Sequence, residues 1–583
     1  MRLLIFIDYL EKNMKSSIKQ YVLKPIWFYF IGFFFCFFQI TGYVLAEKGT
    51  IVWNVFTTSA VLTASLIGGI AIGYIVFRIC AGFFAKRKTA EEENSAEKVC
   101  TVKFGNVCRT TVICWLIMIL CWLPLFLAYF PGMCGYDIAS QLSMFITGSI
   151  STHHPVLHTE LLGKLWLWSF SNFDGGTIGM AVYVVIQMMV LSLAFTYVIL
   201  VLKMLGMADK CCYITAVFLG VFPLNGFMAI SATKDTIFSA FFVVLFSSLL
   251  YCISVKEKGM FYWLNLMALI VSVAGTVAFR NNGKYAVAAL CMGMIVVSLL
   301  RKAPKFKYAM LFVLIAGAFT VSTFGINYIE RNFWHDPEGE REKYSVPFQQ
   351  VLRTVNYHKE EIDPEIIESL TECVSDEFDF ETGYFPESAD PVKAHFNAAY
   401  LHEPEIQRIY MDLFKQYPGE YLNAFLALNA GYLYIFDTSC HLPYVDVPEK
   451  GNGYILTNEN LYWLSTVEIY KHSVFPGLYE WLEEITANNV LMKIPVLGQI
   501  LAPAIWLYLF LFIIAASLTF RKTDHLMPMA FVAGYYTTVM LGPIVLMRYI
   551  YPIMLCIIVY LFRYGELFYQ SFIKKIVKNK KYY

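Results

Sequence analysis

Apolar residues run in long continuous stretches along most of the chain. Windows of about 20 predominantly apolar residues, the length that a helix needs to cross a bilayer, recur between residues 25 and 563. Because the stretches are continuous rather than alternating, the pattern excludes a transmembrane β-barrel. The pattern indicates an all-α polytopic membrane protein. We predict about twelve transmembrane helices, near 25–45, 55–80, 110–130, 177–202, 211–231, 236–254, 261–279, 285–300, 308–328, 497–520, 527–546 and 549–563.

Composition and charge divide the chain into two kinds of region. Of the 583 residues, 58% are hydrophobic and 15% are charged, whereas soluble domains average about 25% charged residues. These values exclude a soluble enzyme and a disordered chain, and no nucleic-acid partner is expected. The overall net charge of +1 conceals an acidic block, because residues 330–493 contain 29 acidic and 11 basic side chains, which leaves +19 for the remainder.

Basic loops predict the orientation of the chain in the membrane. Short loops rich in Lys and Arg stay on the cytoplasmic side, and all the basic connectors fall on one side if both termini are cytoplasmic. The connectors are 12–24, 86–88, Lys203 with Lys210, Lys256 with Lys258, 301–307, Arg521 with Lys522, and 574–581. The first apolar stretch lacks a small-residue cleavage site, so we expect a retained helix rather than a signal peptide. A multi-pass protein of a bacterial plasma membrane fits these features.

Four regions follow from the spans and the acidic block. Residues 1–109 would hold an N-terminal cytoplasmic segment, two spans and a cytoplasmic linker; 110–329 the transmembrane core with a catalytic outer loop at 131–175; 330–496 an acidic extracytoplasmic domain; and 497–583 the last spans and a basic cytoplasmic tail.

The acidic domain, inserted between spans nine and ten, is predicted to be mainly helical. Asp363 is an expected N-cap, followed by a first-turn Pro364. Residues 403–436 predict two amphipathic helices with a break near 417–419. A disulfide between Cys373 and Cys440 is possible in this predicted extracytoplasmic domain.

Polar residues that the membrane topology does not require cluster on the predicted outer side. Charge at membrane depth costs several kcal/mol and is seldom kept without a role. The candidates are Asp137, Gln141, His153, His154, His158, Glu160, Lys234, Asp235, Arg280, Asn281, Asn282, Lys284 and Arg548.

Asp137 is the candidate catalytic acid or base. Its carboxylate could accept a proton from an attacking hydroxyl, or hold a divalent cation such as Mg²⁺ or Mn²⁺. An N-cap of the following helix is the structural alternative. His154 and His158 have the i, i+4 spacing of a metal pair, but a role for His153 and His154 in hydrogen bonding to a substrate or in orienting Asp137 is favoured. Glu160 is a candidate second carboxylate.

Four outer cations run against the positive-inside trend, namely Lys234, Arg280, Lys284 and Arg548. Guanidinium and ammonium groups at this level suit a phosphate or diphosphate. Lipid headgroups or salt bridges to the acidic block are the simpler alternatives. Asn281 and Asn282 would add neutral hydrogen-bond donors, or form a tight turn. Tyr549 and Tyr551 are as consistent with an interfacial aromatic belt as with ligand contacts.

The order of the short motifs resembles a poorly characterised family of bacterial polytopic membrane proteins, which in turn resembles the GT-C integral membrane glycosyltransferases. The motifs are PG-x-x-x-YD (131–137), HHP (153–155), KD-x-x-F (234–238), RNNG (280–283), VPFQQ-x-x-R (346–353), YP-x-x-Y (417–421) and RY-x-YP (548–552). The resemblance implies a GT-C-like fold and a sugar donor linked to a polyprenyl phosphate or diphosphate. The external acid of that superfamily maps onto Asp137.

The leading hypothesis is a membrane glycosyltransferase. It would move a sugar from the polyprenyl-linked donor, a membrane lipid, to an extracytoplasmic glycan, polymer or lipid acceptor. Asp137 would be the base or metal ligand, the histidines would position the acceptor, and the outer cations would neutralise the departing phosphate. A transporter of lipids or lipid-linked oligosaccharides is the main alternative. A non-glycosyl transferase and a non-catalytic scaffold stay open as further alternatives.

Overall fold

The computed structural model describes residues 25–94, 104–134, 136–148, 154–255, 259–300, 306–333, 343–375, 378–380, 382–436, 461–487, 490–520 and 525–580. Over these residues the chain is nearly all-helical, as the sequence predicts, and a single two-residue strand pair interrupts the helices. His153 and Cys440 lie outside the described residues, so the predictions about His153 and about a Cys373–Cys440 disulfide stay predictions.

The first 333 residues supply most of the long apolar helices. In chain order the elements are α1 (Ile26–Lys48), α2 (Val55–Asn94), α3 (Phe104–Ala128), β1 (Met133–Cys134), α4 (Tyr136–Thr147), α5 (Val156–Asn172), α6 (Thr177–Met204), α7 (Asp209–Val221), α8 (Pro223–Ile230), β2 (Ser231–Ala232), α9 (Lys234–Ser254), α10 (Met260–Phe279), α11 (Asn282–Leu300) and α12 (Phe306–Phe333).

The remaining residues form short helices and then return to apolar ones. They are α13 (Ser345–His358), α14 (Pro364–Glu372), α15 (Asp390–His395), a 3₁₀ helix (Ala398–His402), α16 (Pro404–Gln416), α17 (Pro418–Leu428), α18 (Ala430–Leu433), α19 (Leu461–Thr466), α20 (Pro476–Ala487), α21 (Val490–Lys493), α22 (Leu497–Leu501), α23 (Pro503–Thr519), α24 (Leu526–Met540) and α25 (Met547–Lys580).

Eight helices of the described residues are long and apolar enough to cross a membrane: α1, α2, α3, α6, α9, α10, α11 and α12. The chain is therefore a multi-pass membrane protein. The predicted span at 211–231 is a pair, α7 and α8, bent by 61°, because Phe222 takes an extended conformation before the helix-starting Pro223. The pair raises the count to nine if it is one span. Twelve spans are not confirmed, since α23 and α24 have only 17 and 15 residues and α25 is not among the candidates.

Burial separates the central helices from those on the rim. In the most apolar window of α9, 83% of the residues are buried, against 22% in α2 and 17% in α12. A lipid-facing helix exposes apolar side chains and an enclosed one does not, so α9 lies at the centre of the bundle. The residues that begin α9 are consequently held by neighbouring helices.

We call residues 330–496 the acidic segment. Its described residues are mainly helical, and two local predictions about it are confirmed. Asp363 caps α14, because its carboxylate accepts a hydrogen bond from the backbone N–H of Glu365. The expected break falls at Tyr417, between α16 and α17, where Pro418 starts a new helix.

A buried arginine joins this segment to the loop between α1 and α2. Arg353 is fully buried; its Nε donates to Glu420 (2.7 Å) and its Nη2 donates to the carbonyl of Gly49 (2.9 Å). Trp53 from the same loop donates to Asn423 Oδ1 at 2.8 Å. The first two helices are therefore packed against the acidic segment.

Candidate functional site

A two-residue parallel ladder brings together two loops that lie about a hundred residues apart in the chain. Met133 pairs with Ser231, and Cys134 pairs with Ala232. Asp137 lies three residues after the end of β1, and Asp235 lies three residues after the end of β2. The ladder therefore places the two carboxylates near one another. Gly132 permits this approach: its φ is +121°, and a Cβ there would lie 2.5 Å from Val184 Cγ2.

Five charged side chains converge at the end of this ladder. Lys234 Nζ lies 3.1 Å and Arg548 Nη1 lies 3.4 Å from the same oxygen of Asp137, Oδ2. Arg280 pairs with Asp235 Oδ1, and Arg548 Nε lies 3.6 Å from Asp235 Oδ2. We call these residues, Asp137, Lys234, Asp235, Arg280 and Arg548, the charge cluster. Of the charged residues that the sequence singled out, the structure brings these five together, whereas Lys284 lies beside Glu330.

An aromatic ring holds the two guanidinium groups side by side. The guanidinium carbon of Arg280 lies 4.4 Å from the ring centroid of Tyr549, and that of Arg548 lies 5.2 Å from it. Phe238 and Tyr535 are each 5.8 Å from Arg280. Such cation–π contacts stabilise partly dehydrated cations. Tyr549 is therefore part of the site, a role that its position in the sequence left undecided.

Asp137 is ionised in this environment. Burial alone would raise its pKa, but Lys234, Arg548 and His154 together hold the pKa well below its usual value. Asp137 lies in the first turn of α4, which begins at Tyr136, so this residue is not the N-cap of the helix. His154 contacts Lys234 through Nδ1, at 2.7 Å from Nζ. Because an ammonium group can only donate, this ring nitrogen is the acceptor.

A fully buried chain of hydrogen bonds links α4 to the start of α9. Gln141 Nε2 lies 2.9 Å from His158 Nδ1, and His158 Nε2 lies 2.6 Å from the hydroxyl of Tyr183. The Tyr183 hydroxyl donates to Gln187 Oε1 at 3.2 Å, and the same oxygen accepts from the backbone N–H of Thr233 at 3.2 Å. We call this chain the relay. Every bond is satisfied if His158 is neutral and protonated on Nε2.

The pKa of His158 supports this protonation state, and an N-cap connects the relay to α9. Burial and the charge of Lys234 lower the pKa of His158 to about 3, which keeps the ring neutral at neutral pH. Thr233 is the N-cap of α9 and accepts from the backbone N–H of Asp235 at 3.3 Å. The relay therefore ends at the charge cluster. His158 and Gln141, which the sequence suggested as substrate contacts, are placed in this internal network.

Other predicted residues make different contacts. Glu160 pairs with the exposed Lys164 at 2.9 Å. Lys284 lies 3.8 Å from Glu330, a residue of the acidic segment, as the salt-bridge alternative predicted. Asn281 and Asn282 belong to the tight turn that leads into α11, in which the N–H of Gly283 donates to the carbonyl of Arg280. The functional roles assigned to the charged residues stay predictions.

The described residues of the site do not form a metal centre. Among the described residues no group of three or more His, Cys, Asp or Glu side chains could hold a metal ion. Helix α5 begins at Val156, after His154, so the two histidines do not share a helix face. A divalent cation on Asp137 would face the two positive charges of Lys234 and Arg548 at close range. We therefore derive no step through a metal.

The acidic segment touches the loops that carry the charge cluster. The N–H of Ala389 donates to the carbonyl of Pro543 (2.8 Å), and Ser388 forms a β-bridge with Ile544, shortly before Arg548. The N–H of His472 donates to Phe130, just before β1, at 2.9 Å. Residues of the acidic segment thus border the site on two sides.

Sequence reasoning did not identify Tyr183, Gln187 and Thr233. Gln187 carried a usable signal, because it is a lone amide within an otherwise apolar stretch of α6. Tyr183 gave no such signal, since tyrosine is frequent in this chain, with 39 residues.

The chain matches the profile of a family of unknown function (DUF6020) over residues 147–570. That range covers most of the chain and includes Lys234, Asp235, Arg280 and Arg548. The protein belongs to this family. Asp137 and β1 precede the matched range. No curated protein and no solved structure shows significant similarity to the chain.

Proposed function

We propose that this member of the DUF6020 family is a membrane transferase. It moves a sugar from a polyprenyl-phosphate-linked donor to an extracytoplasmic glycan, polymer or lipid acceptor. The protein would lie in a bacterial plasma membrane with both termini cytoplasmic, which places the charge cluster at the outer face. The observation that carries the proposal is the charge cluster itself, which is mostly buried and contains one more cation than carboxylate.

Three cationic side chains meet in a place that little water reaches. Electrostatic attraction is stronger where water screens it weakly, so the cluster is suited to an anionic ligand. Arginine and lysine side chains are common phosphate ligands, because arginine offers a two-pronged donor and lysine a point charge. A phosphate group on a membrane lipid would reach this level of the protein without leaving the bilayer.

The same residues can support transfer chemistry. The acceptor hydroxyl would attack the anomeric carbon of the donor sugar and give its proton to the Asp137 carboxylate. The bond between the anomeric carbon and the phosphate oxygen would break, and its electron pair would leave with the polyprenyl phosphate. Lys234, Arg280 and Arg548 would stabilise the charge that grows on that phosphate. The GT-C resemblance of the sequence agrees with this order of events.

The test uses the full chain in lipid nanodiscs. A panel of polyprenyl-phosphate sugars is offered together with an extract of outer-surface glycans, and release of polyprenyl phosphate is measured. We expect release by the natural protein, loss of release in Asp137→Asn with donor binding retained, and weaker binding in Arg548→Gln. Lys415→Gln removes an exposed cation that pairs with Asp412, and should behave as the natural protein does. A folded Asp137→Asn protein with full activity would remove the base from the proposal.

One observation favours a transporter of lipid-linked sugars as a second candidate. The bent pair α7 and α8 ends next to the charge cluster, and discontinuous helices beside polar sites are common in transporters. A liposome assay with a fluorescent polyprenyl phosphate separates the two functions. Movement of the lipid between leaflets without its consumption would favour transport, whereas consumption without movement supports the transferase.

A further inference from the structure

Part of the acidic segment runs down the side of α1 instead of staying beside its end. In α17, Asn423 Nδ2 donates to the carbonyl of Ile51, in the loop after α1, at 3.0 Å. At the end of α18, the carbonyl of Leu433 accepts from Gln39 Nε2 at 2.9 Å. We infer that residues 418–436, which we call the re-entrant element, enter the membrane from the side of the acidic segment and contact the acyl chains of lipids.

The length of α1 indicates how deep the element reaches. Gln39 lies nine residues before the end of α1, which is about 13 Å along the helix axis. No charged residue occurs in residues 26–46 of this helix. If Gln39 lay at the membrane surface, residues 26–38 would supply only about 20 Å of helix to cross a hydrocarbon layer about 30 Å thick. Gln39 and the backbone that it contacts therefore lie inside the hydrocarbon layer.

Protein groups satisfy the backbone where α18 ends. Backbone that leaves the helical path at membrane depth must find its partners in the protein, because the bilayer core holds no water. The side chain of Gln39 provides two of them, since Nε2 donates to the carbonyl of Leu433 and Oε1 accepts from the N–H of Ile435 at 3.0 Å. The hydroxyl of Tyr508, in α23, donates to the same carbonyl of Leu433. This arrangement explains an amide in the middle of an apolar spanning helix.

The composition and surface of the element fit lipid contact. Residues 421–436 contain no Asp, Glu, Lys or Arg, although the acidic segment is otherwise rich in charged residues. The element packs closely on α1, because a Cβ on Gly42 would lie 2.5 Å from the Cβ of Tyr434. Leu422 and Phe436 nevertheless remain 38% and 60% exposed. At membrane depth, acyl chains cover such apolar surface, as they do on the rim helices α2 and α12.

The end of the element also packs against the helix beside the charge cluster. The ring of Tyr432, in α18, lies 6.2 Å from that of Tyr536, in α24. The preceding residue of α24, Tyr535, contacts Arg280. The element thus connects the lipid-facing surface of the acidic segment to one wall of the site. The inference does not rest on the proposed function, because the depth of Gln39 and the apolar composition hold for any activity.

The experiment places the photoreactive residue p-benzoylphenylalanine in the full chain at Phe436 or at Leu422. Each variant is reconstituted in phosphatidylcholine nanodiscs and irradiated, and lipid adducts are measured by mass spectrometry. Gln407, an exposed residue of α16, is the control position. We expect adducts at Phe436 and Leu422 to exceed those at Gln407 severalfold, with the Phe436 adducts nearer the methyl end of the acyl chain. Adducts no more frequent than at Gln407, or crosslinks to a second copy of the chain instead of lipid, would overturn the inference.

A change at Gln39 tests the element without a bulky probe. Gln39→Leu keeps a similar size and removes the bonds to Leu433 and Ile435. The loss of two hydrogen bonds should speed amide hydrogen exchange in residues 429–435 by about tenfold or more. Gln407→Leu, on the exposed face of α16, should leave this exchange unchanged. Exchange in residues 429–435 that is already as fast in the natural protein as in exposed loops would contradict a position within the membrane.

Discussion

Replacing Tyr183 with phenylalanine tests whether the relay positions the charge cluster. The substitution deletes one hydroxyl that accepts from His158 at 2.6 Å and donates to Gln187 at 3.2 Å. Both partners are fully buried. A net contribution of about 0.5–1.5 kcal/mol per hydrogen bond, and about 1–3 kcal/mol for a buried group left without a partner, predicts a stability loss of about 1–3 kcal/mol.

The same change should weaken ligand binding, because the relay ends at the N-cap of α9. Gln187 keeps its bond from the backbone N–H of Thr233, so the start of α9 is loosened rather than released. We expect affinity for a prenyl methyl phosphate, used as a sugar-free lipid phosphate probe, to fall by about threefold to tenfold, or about 0.7–1.4 kcal/mol. Thermal unfolding in detergent and probe binding in nanodiscs are the two assays.

Tyr197→Phe is the matched control on the same helix. The hydroxyl of Tyr197 donates to Asn265 at 2.6 Å and lies 2.8 Å from the hydroxyl of Ser248, so this variant also deletes two hydrogen bonds, which join α6 to α10 and α9. It should lower stability by a similar amount and leave probe affinity unchanged. The relay has no positioning role if both variants lose affinity equally, or if Tyr183→Phe lowers stability without lowering affinity.

Three further changes test other parts of the structure. The pKa of His158 is lower in the folded chain (about 3) than its ordinary value, so the unfolded chain binds more protons between about pH 6.5 and 3. Stability should therefore decrease by up to about 1.4 kcal/mol for each unit by which the pH is lowered through this range, and His158→Gln should flatten this slope in pH-dependent thermal unfolding. Gly132→Ala should reduce probe binding and lower the free energy of unfolding by about 1–3 kcal/mol, because its Cβ would lie 2.5 Å from Val184. Arg353→Met removes the guanidinium group from the half-buried Glu420, which keeps only Asn423 and the more distant His358, and should expose the α1–α2 loop to protease while costing about 1–3 kcal/mol.

The charge cluster shows what the sequence could and could not predict. Lys234, Arg280 and Arg548 were recognisable, because outer cations conflict with the topology of a membrane protein. Their partners were not, since the ladder between β1 and β2 is only two residues long and leaves no periodic signal. The ring of Tyr549 gave the same signal as any interfacial tyrosine, so its contact with two guanidinium groups required coordinates.

The predicted helix count stays unconfirmed at the stretches where the apolar sequence and the helix lengths disagree. The stretch at 211–231 is apolar throughout, and only the extended backbone at Phe222 divides it into a bent pair. The stretches at 497–520 and 527–546 contain α23 and α24, which have 17 and 15 residues and bury 10 and 8 of them. Apolar composition alone does not distinguish a short enclosed helix from a spanning one. The helical nature of the acidic segment, by contrast, followed from local capping and proline signals at Asp363 and Pro418.

The side-chain amide of Gln187 takes the place that a solvent molecule would otherwise fill. Its Nε2 lies 3.2, 3.0 and 2.7 Å from the carbonyl oxygens of Met228, Ala229 and Ser231, where the backbone leaves the helical path. An irregular stretch inside a bilayer protein normally needs hydration or a neighbour to satisfy such oxygens. With the amide in place, these carbonyl oxygens below Asp137 and Asp235 need no water. The attraction between the charge cluster and the proposed lipid phosphate is then screened less by water.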